Sequence, residues 1–172
     1  MHAALKAALR LSLIASGFVI PTSAGAQASY QLWTNPTTGY CLGVAGGNVT
    51  NGTPIIVWQC NGNSDQSWAA GDQLPYPPGA YSSYRNGTNA NKCLGVANNS
   101  GANGAGLVIW DCLGTSHTDQ YWNLQPVGNG CYVWYNASSG KVMGVSGGSL
   151  SEGASVIQWD YLGHPDQQWC PM

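Results

Sequence analysis

The motif Asp-Gln-x-Trp occurs three times, and this repeat constrains the fold more than any other feature of the chain. The copies lie at residues 65–68, 119–122 and 166–169. Each closes a segment of roughly 40 residues that also contains Leu-Gly-Val or Met-Gly-Val. A unit of this length can hardly bury a core alone, so three copies are expected to share one. The chain is therefore predicted to have pseudo-threefold symmetry and up to three equivalent surface sites.

The six cysteines follow the same repeat, and their number is typical of an oxidising compartment. Two copies carry a pair of cysteines at identical spacing, and the remaining two cysteines belong to the third copy. A metal site is not expected, because the sequence has no Cys-x-x-Cys and no cluster of histidines. We therefore predict three disulfides, each within one repeat: Cys41–Cys60, Cys93–Cys112 and Cys131–Cys170.

Residues 1–28 have the features of a signal peptide. Lys6 and Arg10 are followed by an apolar stretch from Leu11 to Ile20. Ala26-Gln27-Ala28 then places small residues where a signal peptidase cleaves. The apolar stretch is shorter than the ~20 residues of a membrane-spanning helix, so no membrane insertion is expected. The sequence predicts a secreted protein.

Residues 29–172 are predicted to form one domain, with repeats at approximately 30–72, 80–127 and 130–172. Cleavage of the predicted signal peptide would remove Lys6 and Arg10. Three of the five basic residues then remain against seven acidic ones, a formal charge of about −4. This balance argues against nucleic acid as a partner, because nucleic-acid binding needs a positive surface. A monomer without cofactor is expected.

The secondary structure is predicted to be all-β. After residue 28, short runs of Val, Ile, Leu, Trp and Tyr alternate with clusters of Gly, Asn, Pro and Ser. Asn-Gly dipeptides supply the positive φ that tight turns require. The proline-rich stretch 73–79 is interpreted as the connection between the first two copies. The strands predicted for the first copy are Tyr30–Thr34, Cys41–Ala45, Ile55–Gln59 and Gln66–Ala69.

The order of Cys-Leu-Gly-Val, Trp-x-Cys and Gln-x-Trp makes residues 30–170 similar to ricin B-type lectin domains. The resemblance implies a β-trefoil of twelve strands, six closing a barrel and six forming hairpins that cap it. It also implies a non-enzymatic carbohydrate-binding protein whose partners are glycans or polysaccharides. In that family the Gln-x-Trp residues are structural, which assigns the scaffold to Gln66, Trp68, Gln120, Trp122, Gln167 and Trp169.

The same resemblance points to the sugar contacts. They are a Trp two places before the second cysteine, matched in the third repeat by register because Tyr161 stands there, and the residue before Gln-x-Trp. An indole offers a flat apolar face and an N–H donor, and a carboxylate can accept two hydroxyl hydrogen bonds. The alternatives are core tryptophans and turn-capping aspartates. The candidate sugar-binding residues are Trp58, Asp65, Trp110, Asp119, Trp159 and Asp166, with His117 and His164 as further contacts or plain surface residues.

One departure from the family pattern concerns its main ligand, an Asp in Cys-Leu-Asp-Val. This chain has Gly43, Gly95 and Gly144 at that position. Either the carboxylate function has moved to the Asp of Asp-Gln-x-Trp, or sugar binding is weakened or lost. In the second case the fold would bind a protein, as a protease inhibitor or a toxin's targeting subunit does. A third alternative is a carbohydrate-binding module detached from an enzyme.

Two patterns suggest catalysis, and the repeat argues against both. Residues 144–148 match the nucleophile motif Gly-x-Ser-x-Gly, but the equivalent segments 43–47 and 95–99 contain no serine. A glycosidase needs two neighbouring carboxyl groups. The best acids, Asp65, Asp119 and Asp166, are related by the pseudo-threefold and should lie far apart. No catalytic residues are therefore predicted.

Overall fold

The computed structural model describes residues 28–75 and 80–172. The predicted signal peptide lies outside the described residues except for Ala28, as do residues 76–79 of the predicted connection. Within the described ranges, no helix is long and apolar enough to cross a membrane.

The described residues contain twelve β-strands and six single-turn 3-10 helices, without an α-helix. The strands are β1 Gln31–Thr34, β2 Cys41–Val44, β3 Ile55–Trp58, β4 Ser67–Gln73, β5 Ser82–Asn86, β6 Lys92–Val96, β7 Leu107–Asp111, β8 Tyr121–Gly128, β9 Cys131–Asn136, β10 Val142–Val145, β11 Val156–Trp159 and β12 Cys170–Pro171. The 3-10 turns are Ala45–Gly47, Ser64–Gln66, Ala97–Asn99, Thr118–Gln120, Ser146–Gly148 and Pro165–Gln167. Each repeat supplies four strands and two 3-10 turns.

The predicted strands of the first copy need one correction. The fourth strand was predicted at Gln66–Ala69, whereas β4 runs from Ser67 to Gln73. Gln66 belongs to the preceding 3-10 turn, and β4 is longer because Gln73 still pairs with Ser82 of β5. This long pairing between repeats could not be read from one repeat alone.

Six strands close a barrel in the order β1, β4, β5, β8, β9, β12 and back to β1, all antiparallel. The pairing of β9 with the last segment is made by Tyr132 and Trp169, which exchange two backbone hydrogen bonds of 2.8 Å. A closed barrel leaves no free strand edge.

The other six strands form three hairpins, β2–β3, β6–β7 and β10–β11, which are joined in a ring. Each hairpin donates a backbone hydrogen bond to the next through an equivalent glycine. These bonds are Gly52 N to Ile109 O (2.9 Å), Gly104 N to Gln158 O (2.9 Å) and Gly153 N to Val57 O (2.8 Å). The twelve strands therefore form the β-trefoil that the family resemblance implies.

Five of the eight tryptophans lie in the core. The three Trp of Gln-x-Trp are at most 1% exposed, as their scaffold role requires. Their indole N–H groups donate to main-chain oxygens of Leu42, Leu94 and Met143 at 3.0–3.1 Å. Trp33 and Trp134 come from the first strands of their repeats and pack edge to face.

All three predicted disulfides are confirmed: Cys41–Cys60, Cys93–Cys112 and Cys131–Cys170. In the third repeat, Val142 and Tyr161 stand where the other repeats have cysteines. Val142 is fully buried, and the Tyr161 ring packs against Tyr135 with centroids 5.9 Å apart. Apolar packing thus takes the position of a disulfide in the third repeat.

Candidate functional site

Each repeat has one shallow depression, and the three depressions are equivalent in position. Each is lined by the Trp at the end of a hairpin strand, by the 3-10 turn after Gly-Val, and by the Asp of Asp-Gln-x-Trp. We call them site 1 (Trp58 and Asp65), site 2 (Trp110 and Asp119) and site 3 (Trp159 and Asp166). Their volumes are about 300, 210 and 340 Å³ respectively.

The three candidate Trp residues lie at the surface. They are 43%, 41% and 40% exposed in sites 1, 2 and 3, in contrast to the core tryptophans. Strand alternation explains the difference, because Val57 points into the core and the next residue, Trp58, points outward. The structure thereby separates the surface tryptophans from the core tryptophans.

Each surface indole is supported by a glycine from another repeat. A Cβ built on Gly153 would lie 3.5 Å from Cζ3 of Trp58. The equivalent distances are 3.6 Å for Gly52 and Trp110, and 3.5 Å for Gly104 and Trp159. These glycines have φ between +81° and +87°, a conformation that other residues rarely adopt. One edge of each ring is therefore backed by protein, while the rest stays accessible.

The aspartates occupy the space next to the unusual glycines. A Cβ on Gly43 would lie 3.5 Å from Oδ2 of Asp65, and a Cβ on Gly95 would lie 3.3 Å from Oδ2 of Asp119. Site 3 repeats the arrangement with a distance of 3.5 Å between Gly144 and Asp166. The carboxylate of each Asp thus lies next to the glycine position.

The carboxylates of sites 1 and 2 are partly desolvated. Burial raises the pKa of Asp65 and Asp119, and a hydrogen bond from each residue's own backbone N–H opposes the shift. In site 2 the charge of His117 and the backbone of Val96 also lower the pKa of Asp119. Oδ1 of Asp119 is buried and has no hydrogen-bond partner among the described residues. Because this oxygen has no exposed surface, a ligand cannot reach it without movement of the Asp119 side chain.

The glutamines of Gln-x-Trp hold the loop between Trp and Asp in each site. Oε1 of Gln66 accepts from the backbone N of Asn61 (3.0 Å), and its Nε2 donates to Gln59 O (2.9 Å). Gln120 and Gln167 make the same pair of bonds at 2.8–2.9 Å. Because each glutamine is at most 2% exposed, these bonds satisfy buried backbone groups where the strands diverge.

Three buried asparagines position the aspartates, and sequence analysis missed them. Nδ2 of each donates to the main-chain oxygen of a site aspartate in the preceding repeat. The bonds run from Asn86 to Asp65 (2.9 Å), from Asn136 to Asp119 (2.7 Å) and from Asn35 to Asp166 (2.9 Å). The signal was present, since an Asn stands at the same place in all three repeats. Every site is therefore assembled from three repeats.

The loop residues between Trp and Asp differ among the sites. Site 1 is lined by Asn61 and Asn63, whereas sites 2 and 3 are lined by a leucine and a histidine. Both candidate histidines, His117 and His164, thus lie in the depressions. Nδ1 of His164 is 3.9 Å from Oδ1 of Asp166. Among residues 28–75 and 80–172, no group of His, Cys, Asp and Glu could hold a metal ion.

Comparison with known proteins identifies the fold family. A family model described as "Ricin-type beta-trefoil lectin domain" matches residues 28–169. Among curated proteins, a sequence search finds no significant match.

Solved structures share the architecture. The chain is 29% identical to the designed threefold-symmetric protein ThreeFoil, with a TM-score of 0.76 over 83% of this chain and 97% of that one. It is 26% identical to the exo-β-1,3-galactanase 1,3Gal43A from Clostridium thermocellum, with a TM-score of 0.78 over 86% of this chain but 30% of the enzyme. The ricin B-like lectin of Macrolepiota procera, solved with lactose, is 17% identical and has a TM-score of 0.69 over 85% of this chain and 96% of the lectin. At that identity the likeness shows the fold alone.

Proposed function

The chain belongs to the ricin-type β-trefoil lectin family, and from this membership we propose that it is a secreted, monomeric, non-catalytic carbohydrate-binding protein with three sugar sites. Each site consists of an indole platform and a carboxylate acceptor. The proposed ligands are the sugar residues of polymeric or clustered glycans.

The threefold recurrence of an exposed Trp beside a carboxylate carries this proposal. Exposure of an indole to water is unfavourable, and the other five tryptophans of the chain are buried. The surface Trp and its Asp line the same depression in all three repeats. A protein-binding loop has no need of this triplication, whereas repeated sugar residues of a glycan can use every copy.

The geometry supports a simple binding mode. The C–H face of a pyranose would lie on the indole, and the ionised Asp would accept hydrogen bonds from two adjacent hydroxyl groups. In site 2 Asp119 is only 8% exposed, so its side chain would have to turn toward the depression to make this contact. The contribution of the neighbouring Gln is indirect, since its side-chain bonds hold the loop.

Single-site affinity is expected to be weak because the depressions are shallow. Dissociation constants on the order of millimolar correspond to about −4 kcal/mol. Three sites on one rigid body recover strength when several sugars are presented together. The similarity to a galactanase, an enzyme that acts on a polysaccharide, supports a polymeric target.

Retention on insoluble polysaccharides and on a glycan array tests the proposal. The protein should be retained on a polymeric glycan, with little competition from free monosaccharide. Asp65→Ala, Asp119→Ala and Asp166→Ala should lower retention stepwise without loss of folding, measured by circular dichroism. Asp72→Ala is the matched control, because Asp72 is an exposed carboxylate that pairs with Arg85 outside the sites.

Two outcomes would contradict the proposal. If the triple variant binds as well as the parent, the aspartates are turn residues and not ligands. If the parent is retained by no glycan, the family's sugar function has been lost here, and a β-trefoil that binds a protein partner becomes the better explanation.

A further inference from the structure

Sites 2 and 3 share two types of side chain that site 1 lacks, although site 2 is also lined by Asn98 and Asn99 where the other two sites have glycines. Site 1 presents Asn61 and Asn63. Sites 2 and 3 present a leucine and a histidine at the equivalent places, Leu113 with His117 and Leu162 with His164. All six side chains are exposed, so they are available to a ligand rather than to the core.

One backbone hydrogen bond is the same in each site, although the segment from Trp to Asp is two residues longer in site 2 than in sites 1 and 3. The N–H groups of Asn61, Leu113 and Leu162 all donate to Oε1 of the adjacent Gln-x-Trp glutamine, at 2.8–3.0 Å. In sites 1 and 3 the next residue is a glycine with nearly identical φ, +75° for Gly62 and +74° for Gly163. Side-chain chemistry alone therefore distinguishes sites 1 and 3.

The leucines provide apolar surface beside the indole. Leu113 is 44% exposed and Leu162 is 56% exposed, which leaves hydrocarbon in water next to Trp110 and Trp159. A methyl group on the ligand would bury part of this surface, whereas a hydroxyl group would not. An asparagine at the same place in site 1 offers a donor and an acceptor to a hydroxyl group instead.

The histidines add a polar group to the same two depressions. A neutral imidazole has one N–H donor and one acceptor nitrogen. Nδ1 of His164 lies 3.9 Å from Oδ1 of Asp166, so the ring stands at the carboxylate where sugar hydroxyl groups would bind. An acetamido group carries a methyl for the leucine and a carbonyl oxygen for an imidazole N–H.

From these contacts we infer that sites 2 and 3 select an N-acetylated sugar, whereas site 1 selects a sugar with a free hydroxyl group at that position. The inference rests on the proposed function, since it names the sugar class of each site. Burial of one methyl group alone should change affinity roughly fourfold. A hydrogen bond to the carbonyl oxygen would increase the discrimination.

An NMR titration of the whole protein tests this inference site by site. Millimolar binding is measurable from the indole N–H signals of Trp58, Trp110 and Trp159, which are assigned with single Trp→Phe variants. The probes are the methyl glycosides of a hexose, of its 2-acetamido derivative and of a 6-deoxyhexose. The Trp110 and Trp159 signals should respond to the acetamido sugar with at least fourfold higher affinity than to the hexose. The Trp58 signal should not show this preference.

Exchange variants provide the matched control. Leu162→Asn with His164→Asn should give site 3 the preference of site 1. Asn61→Leu with Asn63→His should give site 1 the preference of site 3. Circular dichroism and thermal unfolding would show that both variants fold.

Three results would overturn the inference. They are equal preferences at all three indoles, preferences that stay unchanged after the exchange, and a stronger response of sites 2 and 3 to the 6-deoxyhexose. If none of the indoles responds to any sugar and the parent also fails to bind polysaccharide, the proposed function itself is wrong.

Discussion

The glycine of each Gly-Val segment lies next to the aspartate of each Asp-Gln-x-Trp motif. Oδ2 of the aspartate lies 3.3–3.5 Å from the place of a Cβ on that glycine. A second carboxylate at the glycine position would therefore lie close to the first, and two like charges at this distance repel each other.

Restoring an aspartate at the glycine position should destabilise the fold. In Gly144→Asp the new Cβ would be 3.1 Å from Cγ of Gln167, and the new charge would face Asp166. We expect a loss of about 1–3 kcal/mol in the free energy of unfolding, measured with urea. Adding Asp166→Asn should recover part of it by removing the like charge. The control is Gly101→Asp, where no atom lies within 4 Å of a Cβ. Equal stability of the two single variants would contradict the explanation that a side chain at Gly144 is crowded by Gln167 and repelled by Asp166.

Two aspartates near site 2 should show opposite pH dependence. Burial raises the folded-state pKa of Asp119, so its ionised form disfavours the folded state at neutral pH. Asp119→Asn should therefore raise the Tm at pH 7, and the gain should vanish as the pH falls through the folded-state pKa.

Asp111 provides the contrast. Hydrogen bonds from Lys92 and then Asn51 lower its folded-state pKa, so its ionised form favours the folded state above its unfolded pKa. Asp111→Asn should lower the Tm slightly at pH 7, and this loss should disappear as the pH falls through the lowered pKa. Thermal unfolding of both variants between pH 7 and pH 3 checks the two signs. A Tm that changes in the same direction in both variants at pH 7 would contradict the opposite pKa shifts of Asp119 and Asp111.

At the level of strands, the position within the element decides the role of each tryptophan. Trp110 lies near the end of β7 and is 41% exposed, whereas Trp122 lies at the start of β8 and is 1% exposed. The Trp122 indole also donates to Leu94 O at 3.1 Å. The same residue type thus lies at the surface in one strand and in the core in the next.

Alanine substitution should separate these two roles. Trp122→Ala is expected to cost about 3–5 kcal/mol, because it leaves a cavity in the core. Trp110→Ala should cost clearly less, while abolishing the response of site 2 to sugar. Denaturant midpoints measure the first effect. The second is measured by an NMR titration read at the backbone amide of Leu113 in site 2, because the variant lacks the Trp110 indole signal. Equal losses of stability would contradict the division into core and surface tryptophans.

At the scale of the whole molecule, the sites depend on one another. Each takes its Trp and Asp from one repeat, a supporting glycine from a second and a buried asparagine from the third. The barrel is completed at the C-terminus, where β12 pairs with β1 and Cys170 is bonded to Cys131 of β9. No site can be complete before the barrel closes.

Removal of the closing disulfide should therefore affect all sites together. Cys131→Ser with Cys170→Ser is expected to cost about 2–5 kcal/mol, since the bond closes a long loop. On heating, the Trp58, Trp110 and Trp159 indole signals should be lost in one transition. A site 1 signal that survives after the other two have disappeared would show that the repeats fold independently.

The amino-acid sequence by itself determined the architecture of this protein. Repeat register predicted three copies and three disulfides, and the family resemblance implied the β-trefoil. Alternation along the strands, together with the family resemblance, separated Trp58 from Trp68. These properties follow from patterns within one repeat, where a spacing of a few residues decides which way a side chain points.

Tertiary structure decided how the sites are completed. Asn35 and Asp166 are 131 residues apart and meet only because the barrel closes. No local spacing could show that Gly153 supports Trp58, or that the Asp65 carboxylate takes up the space beside Gly43. The extent of β4 likewise depends on a strand of the next repeat. Such contacts arise from the packing of one repeat against another, so they cannot be read from a pattern within a single repeat.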